Sequence, residues 1–386
     1  MLGGAATALG LELVVQTPSK DDPAVSIAAQ TILAPIADAT ATAQLAASCN
    51  VITFENEFVD LAALSQLAAQ GICFRPSLAA LAPLLDKYHQ RLYLSQLGLP
   101  VPAFSLVETA VETPEGTVTR GKQQAPSTLY PPCVIKARRH GYDGQGTWVI
   151  RDTEAWLRVS EELADVDLLV EELVPFEREL AVIAARSITG EVQVYPVVET
   201  QQVRQICQRV IVPAPIAEEV CQQAIVLADR LLTALGVVGV FAIELFLTAD
   251  GNILVNEVAP RVHNSGHFSL DACATSQFEQ HLRAVCGLPL GNPHLKPDCA
   301  GAVMVNLLGY EVAPADYLAK RQALAAIPNA HIYWYGKAES RLGRKLGHVT
   351  VVIPRSTAGD RSGTEMAASI QHIITQVESI WYAHPR

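Results

Sequence analysis

The segment GVFAIELFLTADGNILVNEVAPRVHNSGH, residues 239–267, decides the fold. Two β-branched and aromatic runs, Phe241 to Phe246 and Ile253 to Glu257, flank Ala249-Asp250-Gly251-Asn252, whose Asp-Gly pair suits a tight turn, so the spacing predicts a β-hairpin. Each strand carries one acid inside an apolar run, Glu244 and Glu257. A carboxylate facing a core has to be paired, hydrogen-bonded or bound to a cation. Two converging from neighbouring strands make a hard oxygen site suited to Mg²⁺, which takes one or two carboxylates together with nucleotide phosphates, and Asn256 adds a neutral oxygen. Taken singly, each glutamate reads equally well as a solvent-facing side chain. The next residues tilt the balance: Arg261, His263, Asn264, Ser265 and His267 crowd into the loop after the second strand, a density of polar donors that an anionic substrate requires.

Working outward, Leu168 to Glu172, Glu179 to Ala185 and Val192 to Val198 read as strands of a mixed sheet, and Glu218 to Leu235 as a long amphipathic helix. Upstream, Leu11 to Gln16 and Val51 to Phe54 read as strands, alternating with helices over Thr40 to Ser48 and Asp60 to Gln70, which implies an open α/β domain. Asp86 is a plausible N-cap for a helix that Gly98 and the Pro-rich 100–102 segment end. Residues 109–132 are polar and rich in Pro and Gly, an exposed insertion or irregular connection. From about 300 on, short strands and a final helix suggest a small cap. The expected organisation is thus an α/β N-terminal domain over 1–85, a central α+β domain over 86–298 and a small C-terminal domain over 299–386.

Three further constellations carry chemistry. Gly141-Tyr142-Asp143-Gly144-Gln145-Gly146-Thr147 lies between two strands just after Lys136; its glycines let backbone N–H groups approach phosphate oxygens, although a tight hairpin gives the same string. It is not a Walker loop, which needs Gly-Lys-Ser/Thr opening a helix. Glu171-Glu172-Leu173-Val174 closes a strand and can offer backbone groups to an adenine edge, with Glu179 placed for ribose hydroxyls; alone it is a strand end with acids. Near the C-terminus, Lys337, Arg341, Arg344, Lys345 and His348 concentrate cations, a candidate phosphate site or simply a solvated face.

Composition bounds the rest. The 386 residues are 50% hydrophobic and 17% charged, enough for two or three domains with a sizeable core. With 28 basic against 39 acidic residues the net charge is −11, which argues against a nucleic-acid partner. The longest uncharged apolar stretch, Leu231 to Ile243, is too short and glycine-interrupted to span a membrane. Eight scattered cysteines without CxxC spacing read as reduced thiols, and the N-terminus lacks the basic region of a signal peptide, so a cytoplasmic location is expected.

Taken in order, TFENE (53–57), Asp86-Lys87, GLPVP (98–102), VIKARRHGYDGQGT (134–147), VEELVPFERELAVI (170–183), YPVVE (195–199), LVNEVAPRVHNSGH (254–267), SQFEQHLRAV (276–285) and YGKAESRLGRKLGH (335–348) resemble the ATP-grasp ligases, and within them the PurK family of 5-(carboxyamino)imidazole ribonucleotide synthases. The resemblance spans nearly the whole chain. It implies an ATP-grasp fold between a Rossmann-like pre-ATP-grasp domain and a small C-terminal domain. It implies ATP-dependent carboxylation of aminoimidazole ribonucleotide by bicarbonate through carboxyphosphate, in purine biosynthesis, with Mg²⁺ (Mn²⁺ as the alternative) and a homodimer.

Carried over by position, Lys87, Lys136, the Gly141 to Thr147 loop, Glu171 through Val174, Glu179, Gln202, Asn256 and Glu257 match nucleotide-binding positions, and Glu244 and Glu257 match the metal ligands. Lys136, Arg261, His263 and Asn264 match catalytic positions, and Arg261, His263, Asn264 and Ser265 fall where the family handles bicarbonate and its phosphorylated form. Glu57, Tyr142, Ser265, Lys337, Arg344 and Lys345 fall where the family holds the ribonucleotide. The Gly-rich loop is expected to move as a lid that shields carboxyphosphate from water.

Three departures stand out. Gln202 replaces a His that contacts the nucleotide, and Gln145 replaces a basic loop residue. The family opens with a strand and a glycine loop, whereas Met1-Leu-Gly-Gly-Ala-Ala already resembles the following helix, so the expectation is either a start upstream of Met1 or an impaired enzyme. Another ATP-grasp carboxylate-amine ligase and a catalytically silent relative stay open as alternatives.

Overall fold

The computed structural model describes residues 1–112, 118–124, 131–139, 141, 144–356 and 362–382. The predicted hairpin forms as Gly239–Thr248 against Ile253–Ala259 and sits at one edge of a nine-stranded sheet. The order continues through Phe176–Arg186, Val198–Val203, Ile206–Val212, Cys299–Leu308 and Lys345–Pro354 to Ala330–Trp334, each pair antiparallel, with Val192–Val194 added beside Phe176–Arg186. Central strands such as 180–185 are apolar at every position because both faces are covered. One face carries the helix Glu218–Leu235, whose Ala224, Leu227, Ala228, Leu231 and Leu232 are buried against it. The opposite face packs against Phe268, Ala272 and Phe278, and helix Gly363–Trp381 closes the far end with Ile374, Val377 and Trp381.

A separate four-stranded sheet, in the order Phe104–Leu106, Leu168–Glu172, Cys133–Ala137 and Thr147–Ile150, is covered by Trp156 and Val159 of helix Thr153–Glu162. The N-terminal part holds two parallel strands, Val14–Thr17 and Gln30–Leu33, with helices Ala39–Ala46 and Leu61–Ala69. Its first element is helix Leu2–Ala8, whose Leu2 and Ala5 pack onto the second face of the large sheet. Asp86 caps helix Lys87–Gln96 as expected, accepting from the N–H groups of Tyr88 and His89.

Several expectations shift. The run 192–198 breaks at Tyr195-Pro196, where proline has no N–H for the ladder. Among the described residues, 51–54 make a single parallel bridge, Ile52 to Phe74, held by the Ile52 N–H on the Cys73 carbonyl and the Arg75 N–H on the Ile52 carbonyl, while the Thr53 hydroxyl meets His281 at 2.7 Å. The 109–132 stretch includes a hairpin, Glu108–Glu112 with Val118–Gln124. The expected C-terminal cap has no independent main sheet: Cys299–Leu308 pairs directly with Ile206–Val212, so its strands extend the large one.

Candidate active site

Glu244 and Glu257 are direct register partners across the hairpin, placed between the two sheets. Arg91 and Lys136 staple the sheets at this point. Arg91, buried on the helix that Asp86 caps, binds Glu171 through Nε and the Asn256 carbonyl through Nη2. Lys136, from the four-stranded sheet, reaches Glu171 at 2.6 Å and Asn256 Oδ1 at 3.0 Å. Burial would push Glu171 up, yet the charges of Lys136 and Arg91 outweigh it and hold the carboxyl at about 2. Burial pulls Lys136 below the usual lysine range, against the pull of Glu171.

The two hairpin carboxylates differ. Burial would raise Glu257, but Lys87 binds it directly and holds it below the usual range. Glu244 meets the Asn256 amide at 3.3 Å and His263 Nε2 at 3.7 Å, and burial together with Glu257 opposite pushes it up to about 7. Glu179 is raised to about 7 by burial and then by Glu244, while Gln202 donates to it at 2.5 Å. Two facing carboxylates, of which Glu244 has its charge poorly compensated, fit a hard divalent cation. Among the described residues no cluster of three or more His, Cys, Asp or Glu forms a ready cage, so the remaining ligands of such a cation would come from substrate and water.

The donor loop follows on the same strand. Arg261 makes a two-pronged pair with Glu57 at 3.0 and 3.3 Å, joining the TFENE segment to the hairpin. His263 Nδ1 lies 2.8 Å from Ser265 Oγ and receives the Ser265 N–H at 3.4 Å, so Nδ1 accepts and Nε2 carries the proton. Ser265 is therefore turned inward, 1% exposed, onto the imidazole. The backbone N–H and C=O of His263 are both held by the Gln277 amide, at 3.0 and 2.7 Å. That amide occupies the space a Cβ at Gly266 would need.

In the Gly-rich loop, Gly144 and Gly146 take positive φ and Gly141 packs against the Gln145 carbonyl. A Cβ at Gly144 would lie 2.6 Å from Gln205 Cβ, so the loop touches the turn between Val198–Val203 and Ile206–Val212. Thr147 begins the strand after it. Tyr142 and Asp143 lie outside the described residues. Leu173 and the buried Val174 join the two sheets, and Glu172 faces solvent. Of the C-terminal cations, Lys345 is near enough to pull Glu244 downward, whereas Arg344 donates to the Glu339 carbonyl at 2.9 Å. Lys337 lies in the segment between Ala330–Trp334 and Glu339–Ser340. Sequence reasoning missed Arg91 and Gln277; the one available signal was a cation on the buried face of the 87–96 helix.

Comparison with known proteins agrees with this geometry. Residues 1–83 match the ribonucleotide synthetase preATP-grasp domain, 92–278 the ATP-grasp domain and 302–361 the phosphoribosylaminoimidazole carboxylase C-terminal domain. The chain is 51% identical over 381 residues to the N5-carboxyaminoimidazole ribonucleotide synthase of Synechococcus elongatus, covering 99% of this chain and 92% of that one. It resembles the crystal structure of carboxyaminoimidazole ribonucleotide synthase from Aspergillus clavatus complexed with ATP, at TM-score 0.85 and 31% identity over 98% of this chain and 95% of the other. A second structure from that organism, in complex with ADP and 5-aminoimidazole ribonucleotide, gives TM-score 0.82 and 30% identity over 98% and 95% of the two chains. With all three parts of the chain matched, in order and in one relative, the chain belongs to the N5-carboxyaminoimidazole ribonucleotide synthase family of ATP-grasp enzymes.

Proposed function

We propose that this chain is a ligase that carboxylates 5-aminoimidazole ribonucleotide with bicarbonate at the expense of ATP, releasing ADP and phosphate, as a step of purine biosynthesis. The observation that carries the reading is the meeting of Glu244 and Glu257 with Lys87 and Lys136 on one side and the Arg261–Ser265 loop on the other. Phosphate-neutralising and anion-orienting groups thus meet around strand Ile253–Ala259 and the loop that follows it.

A bicarbonate oxygen attacks the γ-phosphorus and ADP leaves; the substrate's exocyclic amine then attacks the carboxyl carbon of carboxyphosphate and phosphate leaves. Catalysis of both steps is mostly positioning and charge stabilisation. Lys136, held by Glu171 and Asn256, directs its ammonium at the nucleotide phosphates. Arg261, its guanidinium plane fixed by Glu57, faces the bicarbonate and carboxyphosphate oxygens. His263 offers Nε2–H and Asn264 an amide hydrogen to the same anions. Glu57, Ser265, Lys337, Arg344 and Lys345, with Tyr142, serve the ribonucleotide; the route of Ser265 is through His263. Glu244 and Glu257 would hold Mg²⁺, or Mn²⁺ in its place, which would supply neutralisation of phosphate charge and polarisation of the transferred group.

The eight free thiols suit a reducing cytoplasm, and the working unit is a homodimer. The test is ATP hydrolysis with and without aminoimidazole ribonucleotide and bicarbonate, with the carbamate product followed directly. Turnover stimulated by both substrates is expected. ATP binding without stimulated turnover points instead to a silent relative.

A further inference from the structure

Asn264 is paired with Asn306 by two reciprocal hydrogen bonds: Asn264 Nδ2 donates to Asn306 Oδ1 at 2.9 Å, and Asn306 Nδ2 donates back to Asn264 Oδ1 at 2.7 Å. Asn306 lies in strand Cys299–Leu308, 42 residues away, and is 0% exposed. Its Nδ2 also donates to the Cys207 carbonyl at 2.9 Å. A backbone carbonyl can only accept, so this bond fixes which end of the Asn306 amide points where. A flipped Asn306 would set its oxygen against that carbonyl in a buried site, leaving both acceptors unsatisfied. With Asn306 fixed, Asn264 can pair only by presenting its own oxygen to Asn306 Nδ2. The pair uses one N–H and one oxygen lone pair of Asn264, which leaves one N–H and one lone pair, and of these only the N–H can meet an anion.

The seat beneath the loop is equally determined. Asn306 and His348 are register partners, as are His348 and Tyr333, which places the three side by side on adjacent strands. Tyr333 stacks on the His348 ring at 4.8 Å, the His267 ring lies 5.1 Å from His348, and the Tyr333 hydroxyl donates to Asp271 at 2.9 Å. Residues 264, 267 and 271 thus meet 306, 348 and 333 in sequence.

We infer that Asn306 is a positioning residue: through Asn264 it transmits the acceptor polarity of the Cys207 carbonyl, so that Asn264 offers N–H to an oxygen of the anionic carboxyl reactant. The inference rests on the bicarbonate reading given above. It assigns to the C-terminal strands of the large sheet a part in orienting the reactant, separate from any contact with the ribonucleotide.

The test compares Asn306→Asp, nearly isosteric but an acceptor when ionised, with Asn306→Ser, each alone and combined with Asn264→Ala. Expected for Asn306→Asp is an increase of about tenfold or more in the KM for bicarbonate, with the KM for ATP unchanged. The loss should be partly reversed as pH falls, because protonating the new carboxyl restores a donor. In the Asn264→Ala background neither substitution should add to the defect. Equal fold losses in both backgrounds, or parallel losses in bicarbonate and ATP parameters, would overturn the inference. A readout independent of activity is the side-chain amide ¹⁵N–¹H signal pair of Asn264, which should shift when bicarbonate is added to the wild-type chain and not to Asn306→Asp. Should the wild-type chain make no carbamate, the functional reading fails, and an Asn264 amide pair unmoved by Asn306→Asp or Asn306→Ser would separately reject the relay.

Discussion

Glu244 and Glu257 face each other directly across the hairpin yet sit on opposite sides of the usual carboxylate range, because only Glu257 is bound by Lys87. The difference divides labour between two chemically identical groups. Glu257 is held towards its charged form by Lys87, while Glu244 gains most from a cation.

Replacing Glu257 with Gln should therefore lower divalent-dependent kcat by about 100-fold or more while the protein stays folded. Lys87 keeps a hydrogen-bond partner in the new amide, which limits the structural cost. Steady-state kinetics across a Mg²⁺ titration, alongside a melting curve, check both halves; full activity would remove Glu257 from the metal assignment.

Arg91→Met tests the staple between the sheets. It strips Glu171 of one of its two cations and leaves the Asn256 carbonyl without its donor. Breaking a buried pair on one side should cost about 3 to 5 kcal/mol in denaturant unfolding. Because Lys136 remains beside Glu171, the loss should be larger in ATP affinity than that of any exposed arginine such as Arg341.

Gly144→Ala places a methyl where Gln205 already lies and forces a non-glycine residue to φ +76. Either the loop or the 204–205 turn must shift. A raised KM for ATP is expected, with unfolding stability lowered by about 1 to 2 kcal/mol. Unchanged kinetics would show that the loop does not use this contact during turnover. Limited proteolysis near Gly144 should be slowed by an ATP analogue with Mg²⁺; no protection would reject the lid.

His281 sets a pH dependence. Its Nδ1 accepts the Val240 N–H at 3.1 Å and its Nε2 meets Thr53, and burial lowers it to about 4 from the usual 6.5. The unfolded chain binds this proton first, so stability is full above pH 6.5 and falls as pH drops towards 4, by about 3 kcal/mol. Denaturant midpoints between pH 7.5 and 4.5 should show this slope, and His281→Gln should reduce it, leaving the share of His267 and His348, which burial also lowers.

The hairpin, its two carboxylates, the Asp86 cap and the 218–235 helix were all legible in sequence, because each rests on local periodicity or a local turn. The inward turn of Ser265 was not, since a serine in a polar loop reads the same whether it meets substrate or His263. Neither was the grip of Gln277 and Asn306, nor the joining of strand 299–308 to the large sheet. Those depend on partners 14, 42 and about 90 residues distant, which no spacing rule connects.

The single unbroken ladder from Ile253–Ala259 to Ala330–Trp334 has a mechanical meaning. The anion-handling loop, its Asn306 support and the strands reached by the C-terminal cations move as one piece, since sliding any of them breaks backbone bonds. The four-stranded sheet shares no strand with that piece and joins it through Leu173-Val174-Pro175 on one side. Relative movement of these two sheets is therefore resisted by side-chain bridges, those of Arg91 and Lys136 to Glu171 and Asn256, and not by a shared ladder.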